Sequence, residues 1–239
     1  LVSRPSRNAP GGSITGAAFD AAARRLIDEQ LNNAPTSEAR DAARLVLSNP
    51  MDLTYASELL ALGEMPRPTA MIGQAFRLAC TRYTGSTLRA FPERAFALKT
   101  VELRAENRNF LYPDEFADEQ PALAEYRLMV RRPIHDKAGK ETDSLLFRHD
   151  KVTDFFMYLA FAEGENLQQD HMDDTEFRGV YLLFAQDANL ETALLLRDLL
   201  VTRAAETLDH AFSDEFVRRV ATRNPVDRRA DSAQSANAA

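Results

Sequence analysis

The residue best placed for chemistry is a histidine at the junction of a strand pattern and a helix pattern. Leu145, Phe147 and His149 alternate, which puts them on one face of a strand. Val152, Phe155, Phe156, Leu159 and Ala160 then recur at helical spacing. Asp150 stands where an N-cap is wanted. The pattern predicts an imidazole on the apolar side of a strand end, beside a helix N-terminus. An imidazole there is well placed to bind an anion. A buried histidine bonded to a backbone carbonyl is the plainer alternative.

Other chemical signatures are missing. No Gly-rich loop leads into Lys and Ser/Thr, so no segment cradles a triphosphate, and Gly11-Gly12 has no lysine partner. No Gly-x-Ser-x-Gly elbow appears, which argues against a serine hydrolase. The four histidines, His135, His149, His171 and His210, lie far apart in sequence. His171-Met172-Asp173-Asp174 reads as a charged surface loop rather than a metal site, and no metal is expected. Asp114, Glu115, Asp118 and Glu119 read as a solvated acidic run near helix starts. Arg131, Arg132 and Arg148 read as a solvated strand face.

Composition narrows the classes. With 239 residues, 45% of them hydrophobic, the chain can bury a real core in one or two domains. A net charge of −7 disfavours a protein whose main business is coating nucleic acid or anionic membrane. The single cysteine, Cys80, allows neither a disulfide framework nor a cysteine-based zinc site. That usage, with no apolar run of membrane-span length and no signal-peptide pattern, suits a cytoplasmic protein. The chain opens with Leu1 rather than Met, as expected of a processed product or a piece of something longer.

The positioning elements are mostly helices. Residues 1–16 are expected to be a flexible end and 224–239 a disordered tail, because neither can bury enough surface to offset its ordering entropy. Residues 17–90 read as a helical domain. A first helix covers 16–32, a second starts at Pro35-Thr36-Ser37 and stops at Asn49-Pro50, and a third is capped by Asp52 and stopped at Gly63. A fourth carries Ile72, Ala75, Phe76, Ala79 and Cys80 and ends near Gly85.

Residues 91–162 read as a winged helix. A helix follows Phe91-Pro92, a short one spans 121–127, and strands over 128–132 and 144–149 form a β-hairpin with a polar tip. Residues 163–223 form a C-terminal helical domain. Its stripes are Phe177, Val180, Tyr181 and Phe184, then Leu190 to Leu200 capped by Asn189, then Phe216, Val217 and Val220 capped by Ser213. The fold class is therefore mainly α, a helical bundle followed by a winged-helix domain with one hairpin and a C-terminal helical region.

The junction resembles the end of the winged-helix domain in STAND-class NTPases, particularly bacterial NACHT-type proteins. Phe147, His149, Val152, Asp154, Phe155 and Phe156 fill that family's pattern in order. Arg148-His149-Asp150 matches the Met-His-Asp motif of related animal and plant proteins, with methionine replaced. Upstream, Ser48-Asn49-Pro50-Met51-Asp52-Leu53-Thr54 resembles the proline-bearing segment of the small helical domain after the NACHT core. Downstream, residues 177–183 and 204–210 are similar to a helical region of bacterial members. The resemblance covers residues 17–222.

What the resemblance implies is the regulatory, nucleotide-state-sensing portion of a signalling NTPase, in bacterial defence or stress signalling. His149 would contact the β-phosphate of ADP in the resting state, and Pro50 would lie against the adenine. Phe147, Arg148, Asp150, Asp154, Phe155 and Phe156 would be the motif around the sensor. The Walker segments of that family have no counterpart in the chain, so it is expected to be no enzyme by itself and to hold no cofactor alone. It would share ADP or ATP with a nucleotide-binding core of the same parent protein, lying before residue 1, and self-associate on activation. A helical adaptor or interaction module without nucleotide contact stays open. So does a winged-helix DNA-binding protein, although its recognition helix over 121–127 offers only Arg127.

Overall fold

The computed structural model describes residues 16–34, 37–68, 70–135 and 141–221. The elements in chain order are α1 (Gly16–Ile27), α2 (Ser37–Ser48), α3 (Pro50–Ala61), α4 (Met71–Thr87), α5 (Glu93–Ala105), β1 (Phe110–Leu111) and α6 (Gln120–Glu125). The hairpin strands β2 (Met129–His135) and β3 (Glu141–Phe147) follow. Then come α7 (Asp150–Ala162), α8 (Glu165–Asp170), α9 (Arg178–Asp187), α10 (Leu190–Thr207) and α11 (Ala211–Ala221). The described protein is thus mainly helical with one small sheet. Among the described residues, no helix is long and apolar enough to cross a membrane. Apart from Gly16, which opens α1, the expected flexible end and disordered tail lie outside the described residues.

The chain divides into two compact units, and it passes between them three times. Unit 1 comprises Leu1–Phe91 and Leu111–Arg148. Unit 2 comprises Pro92–Phe110 and His149–Ala239. The segment 91–162 is therefore shared, with α5 and α7 in unit 2 and α6 and the hairpin in unit 1.

In unit 1, α3 begins one turn earlier than expected. Asn49 is its cap, accepting the Met51 N–H at 2.9 Å, and Pro50 takes the first helical position, where no donor is lost. Asp52, expected as the cap, lies inside the helix at 5% exposure. The helix stops at Gly63 as expected. That residue adopts φ 81°, and Glu64 N–H reaches back to the Leu59 carbonyl. Tyr55, Leu59 and Leu60 of α3 and Ala75, Phe76 and Ala79 of α4 are buried. α4 runs past Gly85, because residues 84–87 keep helical bonding until Leu88 turns left-handed. Phe91 then packs edge-on against Phe76 and Tyr83.

The hairpin is longer than the sequence predicts. Met129 pairs with Phe147 and His135 with Glu141 in one antiparallel register. The sheet order is β1-β3-β2, so β2 is an edge strand. Its exposed Arg131, Arg132 and Pro133 suit an edge, where proline costs no ladder bond and charge discourages further pairing. The expected polar turn at 136–140 lies outside the described residues.

Unit 2 is built on α7, against which α5, α8 and α9 pack. Phe156 meets Phe96 of α5 edge-to-face at 4.7 Å, both rings buried. Phe161, Phe177, Tyr181, Phe184 and Phe216 continue the core. The Tyr181 hydroxyl donates to the Gln168 carbonyl at 2.6 Å, which satisfies its one buried polar atom. Asn189 caps α10 as expected. Ser213 does not start the last helix: it lies within α11, buried, and its hydroxyl donates to the His210 carbonyl.

Phe156→Ala is expected to destabilise the protein by about 3–5 kcal/mol, because it removes a fully buried ring and leaves a cavity in the core. The half-buried neighbour Phe155→Ala should cost less than half as much. Urea midpoints at unchanged slope measure both.

Candidate functional site

The motif residues straddle a unit boundary, with Arg148 ending a stretch of unit 1 and His149 opening a stretch of unit 2. The strand stops two residues sooner than expected. The ladder closes at Met129 and Phe147, and the Arg148 N–H donates to the Leu128 carbonyl at 3.2 Å. Beyond that bond, strand alternation no longer dictates a face. Leu145 and Phe147 are buried as expected, but His149 is exposed.

His149, not Asp150, caps α7. Its backbone is extended, and Nδ1 accepts the Lys151 N–H at 3.2 Å. Asp150 is the first helical residue, exposed, where its charge complements the helix dipole. The cap bond selects a tautomer. With Nδ1 accepting, the neutral ring carries its proton on Nε2, which is then a donor on an exposed side chain.

Arg148 serves unit 1. Its guanidinium lies over the Tyr55 ring, 5.2 Å from the centroid, and 4.0 Å from Glu58 of α3. Arg127 approaches Glu58 to 3.0 Å, off the hydrogen-bond direction. The Tyr55 hydroxyl donates to the Arg127 carbonyl at 3.0 Å. Burial raises the Glu58 pKa above the usual carboxylate value despite both arginines, and pushes Tyr55 up to about 12. The cluster ties α3 to the end of the hairpin. Arg148 is therefore not solvated as Arg131 and Arg132 are, which stand exposed on β2.

Asp154 lies one turn into α7, in unit 2, with its side chain 17% exposed. Burial pushes its pKa up to about 6 against the opposing pull of Arg104, and the Asp150 charge adds to the rise. Arg104 of α5 stands 3.7 Å from Asp154 and 3.4 Å from Glu176. On the other side lies Gly179 of α9, where a methyl group would overlap the Asp154 carboxylate. Phe156 is core and Phe155 half-buried. Pro50 is exposed at the start of α3, in unit 1.

The remaining sequence-level candidates pack or pair. His171 lies tilted against the Phe177 ring at 4.3 Å and 4.0 Å from Asp174, while Asp173 pairs with Arg203. Among the described residues, no group of three His, Cys, Asp or Glu could hold a metal. The acidic run is not uniformly solvated: Glu119 is buried, and Asp118 pairs with Arg89 at 2.6 Å. The sequence pattern passes over Tyr55, Glu58 and Arg104. Each is drawn in by partners distant in the chain, Tyr55 and Glu58 by Arg127 and Arg148, and Arg104 by Asp154 and Glu176. Gly179 falls within a stretch matched to the resembled family, but its contact with Asp154 has no sequence signal. Comparison of the chain with protein-family models, curated proteins and solved structures finds no match.

Arg148→Met, which sets the methionine of the resembled motif at this position, leaves Glu58 with one cation. It is expected to lower stability by about 1–2 kcal/mol at neutral pH. The loss should shrink when Glu58→Gln is added, because the buried charge is then gone. A double-mutant cycle in urea measures the coupling.

Proposed function

We propose that this chain is the nucleotide-state-sensing, regulatory portion of a STAND/NACHT-type signalling NTPase. The observation that carries the reading is the exposed imidazole of His149 at the first turn of α7, with Nε2 left as a donor, where the chain passes between two compact units. A phosphate accepting from Nε2–H would also meet the positive end of the α7 dipole. Such a contact, made in one state and absent in the other, shifts an equilibrium by its differential free energy alone.

In this proposal α5, α6 and the hairpin make up the winged helix, whose order they follow. Pro50 offers an exposed apolar face to an adenine, and ADP or ATP is shared with the nucleotide-binding core of the parent protein. Self-association on activation, a cytoplasmic setting and a role in bacterial defence or stress signalling belong to the same reading. A helical adaptor is the second reading. The cap bond of His149 favours it, because capping alone accounts for a side-chain acceptor at that position.

Two substitutions separate the readings in the parent-length protein. His149→Ala removes both cap and donor. His149→Asp keeps a good cap but sets a negative charge toward phosphate. If His149 senses nucleotide, both should speed ADP dissociation about tenfold or more, the worth of one hydrogen bond to a charged group. If it only caps, His149→Asp should release ADP at the wild-type rate. By itself the chain is expected to turn over no ATP, for want of a phosphate loop and a magnesium-holding pair. Turnover by purified protein that a substitution within 16–221 abolishes would count against the regulatory reading.

A further inference from the structure

Three elements of unit 2 meet at one carboxylate. Asp154 projects from α7 toward the first turn of α9, and only the missing side chain of Gly179 leaves room for it. From α5 comes Arg104, the cation beside it among the described residues, at 3.7 Å, beyond hydrogen-bond range. From the turn before α9, Glu176 draws on the same guanidinium at 3.4 Å. Arg104 Nε is buried without a hydrogen-bond partner. Asp150, one turn back on α7, adds a second negative charge. α9 answers with no cation, since its Arg178 lies over the Phe212 ring. A mostly buried carboxylate thus shares its one cation with a competitor, and burial outweighs the attraction.

We propose that the Arg104–Asp154–Gly179 junction is a proton-operated latch, in which uptake of a proton by Asp154 tightens α7 against α9 and its loss loosens them. The neutral acid carries a far smaller desolvation cost than the carboxylate and can sit against Gly179 without a cation to hold it. The charged form stays only as far as Arg104 holds it. Because α7 begins at His149, the latch governs how firmly the histidine-capped end is anchored in unit 2. It does not depend on what His149 binds.

The sign follows from the raised carboxyl pKa. An acid whose pKa is higher in the closed junction than in the open one binds more protons when closed. The tightening is complete below the ordinary aspartate value. It is lost as pH rises through the folded value of about 6. Physiological acidification therefore closes the latch.

Amide hydrogen exchange on the whole chain at pH 5 and pH 7.5, corrected for intrinsic rates, tests this. Wild-type protection in α7 and α9 is expected to be about tenfold higher at pH 5, as one pKa unit of linkage gives. Asp154→Asn, isosteric and uncharged, should hold the high protection at both pH values. The same pH dependence in wild type and Asp154→Asn overturns the latch, and so does low protection in the variant at both pH values. Should Asp154→Asn fail to fold, the carboxyl carbon shift of Asp154 in wild type decides. A titration midpoint in the ordinary aspartate range would refute the proposal, and one near 6 would support it. Gly179→Ala supplies a steric check: it should lower α9 protection in wild type, and much less in combination with Asp154→Ala.

Discussion

Unit 2 depends on the burial of α7. That helix places Val152, Phe156, Met157, Ala160 and Phe161 in the core, and α5, α8 and α9 pack on it. So wide an apolar surface leaves few positions for charge. Asp154 occupies one of them and is drawn into the seam with α5 and α9. The helix start is constrained in the same way. A 13-residue helix held along its length needs its first N–H groups satisfied, and His149 supplies one acceptor. The unusual chemistry of Asp154 and the setting of His149 are both consequences of one packed helix.

The two units handle buried charge alike. In unit 1, Glu58 lies between Arg127 and Arg148, and in unit 2, Asp154 and Glu176 lie around Arg104. In neither does the buried carboxylate gain a well-aligned hydrogen bond from its arginine. Burial therefore prevails over attraction, and both carboxyl pKa values are raised. Each cluster joins elements distant in sequence: α3 to the hairpin in one unit, α5 to α7 and α9 in the other. These junctions favour one arrangement, which proton uptake by the carboxylate strengthens and the loss of a cation weakens.

The boundary between Arg148 and His149 gives the motif its double character. Arg148 is committed to Tyr55 and Glu58, and His149 to the N-terminus of α7. Adjacent residues thus report on different units. The arginine brings a charge to the end of the hairpin, and Glu58 of α3 stands 4.0 Å from it.

Local physics made much of the protein legible in its sequence. Helical periodicity marked α1 to α5, α7 and α9 to α11, because apolar residues recur wherever a helix turns a side to a core. Gly63 and Asn189 marked a stop and a start, because backbone geometry and capping are settled within a few residues. The hairpin was legible from alternation, but its length was not, since pairing partners lie far apart in the chain. Nor was the exposure of His149, because alternation holds only while the ladder lasts, and where a ladder ends depends on both strands. Asn49 capped α3 in place of Asp52 because the proline after it fixed the first helical position. The Glu58 and Asp154 clusters were decided by tertiary structure alone. Their pKa values arise from burial and from arginines brought near by packing, and a side chain's neighbours across a core leave no periodic trace in the sequence.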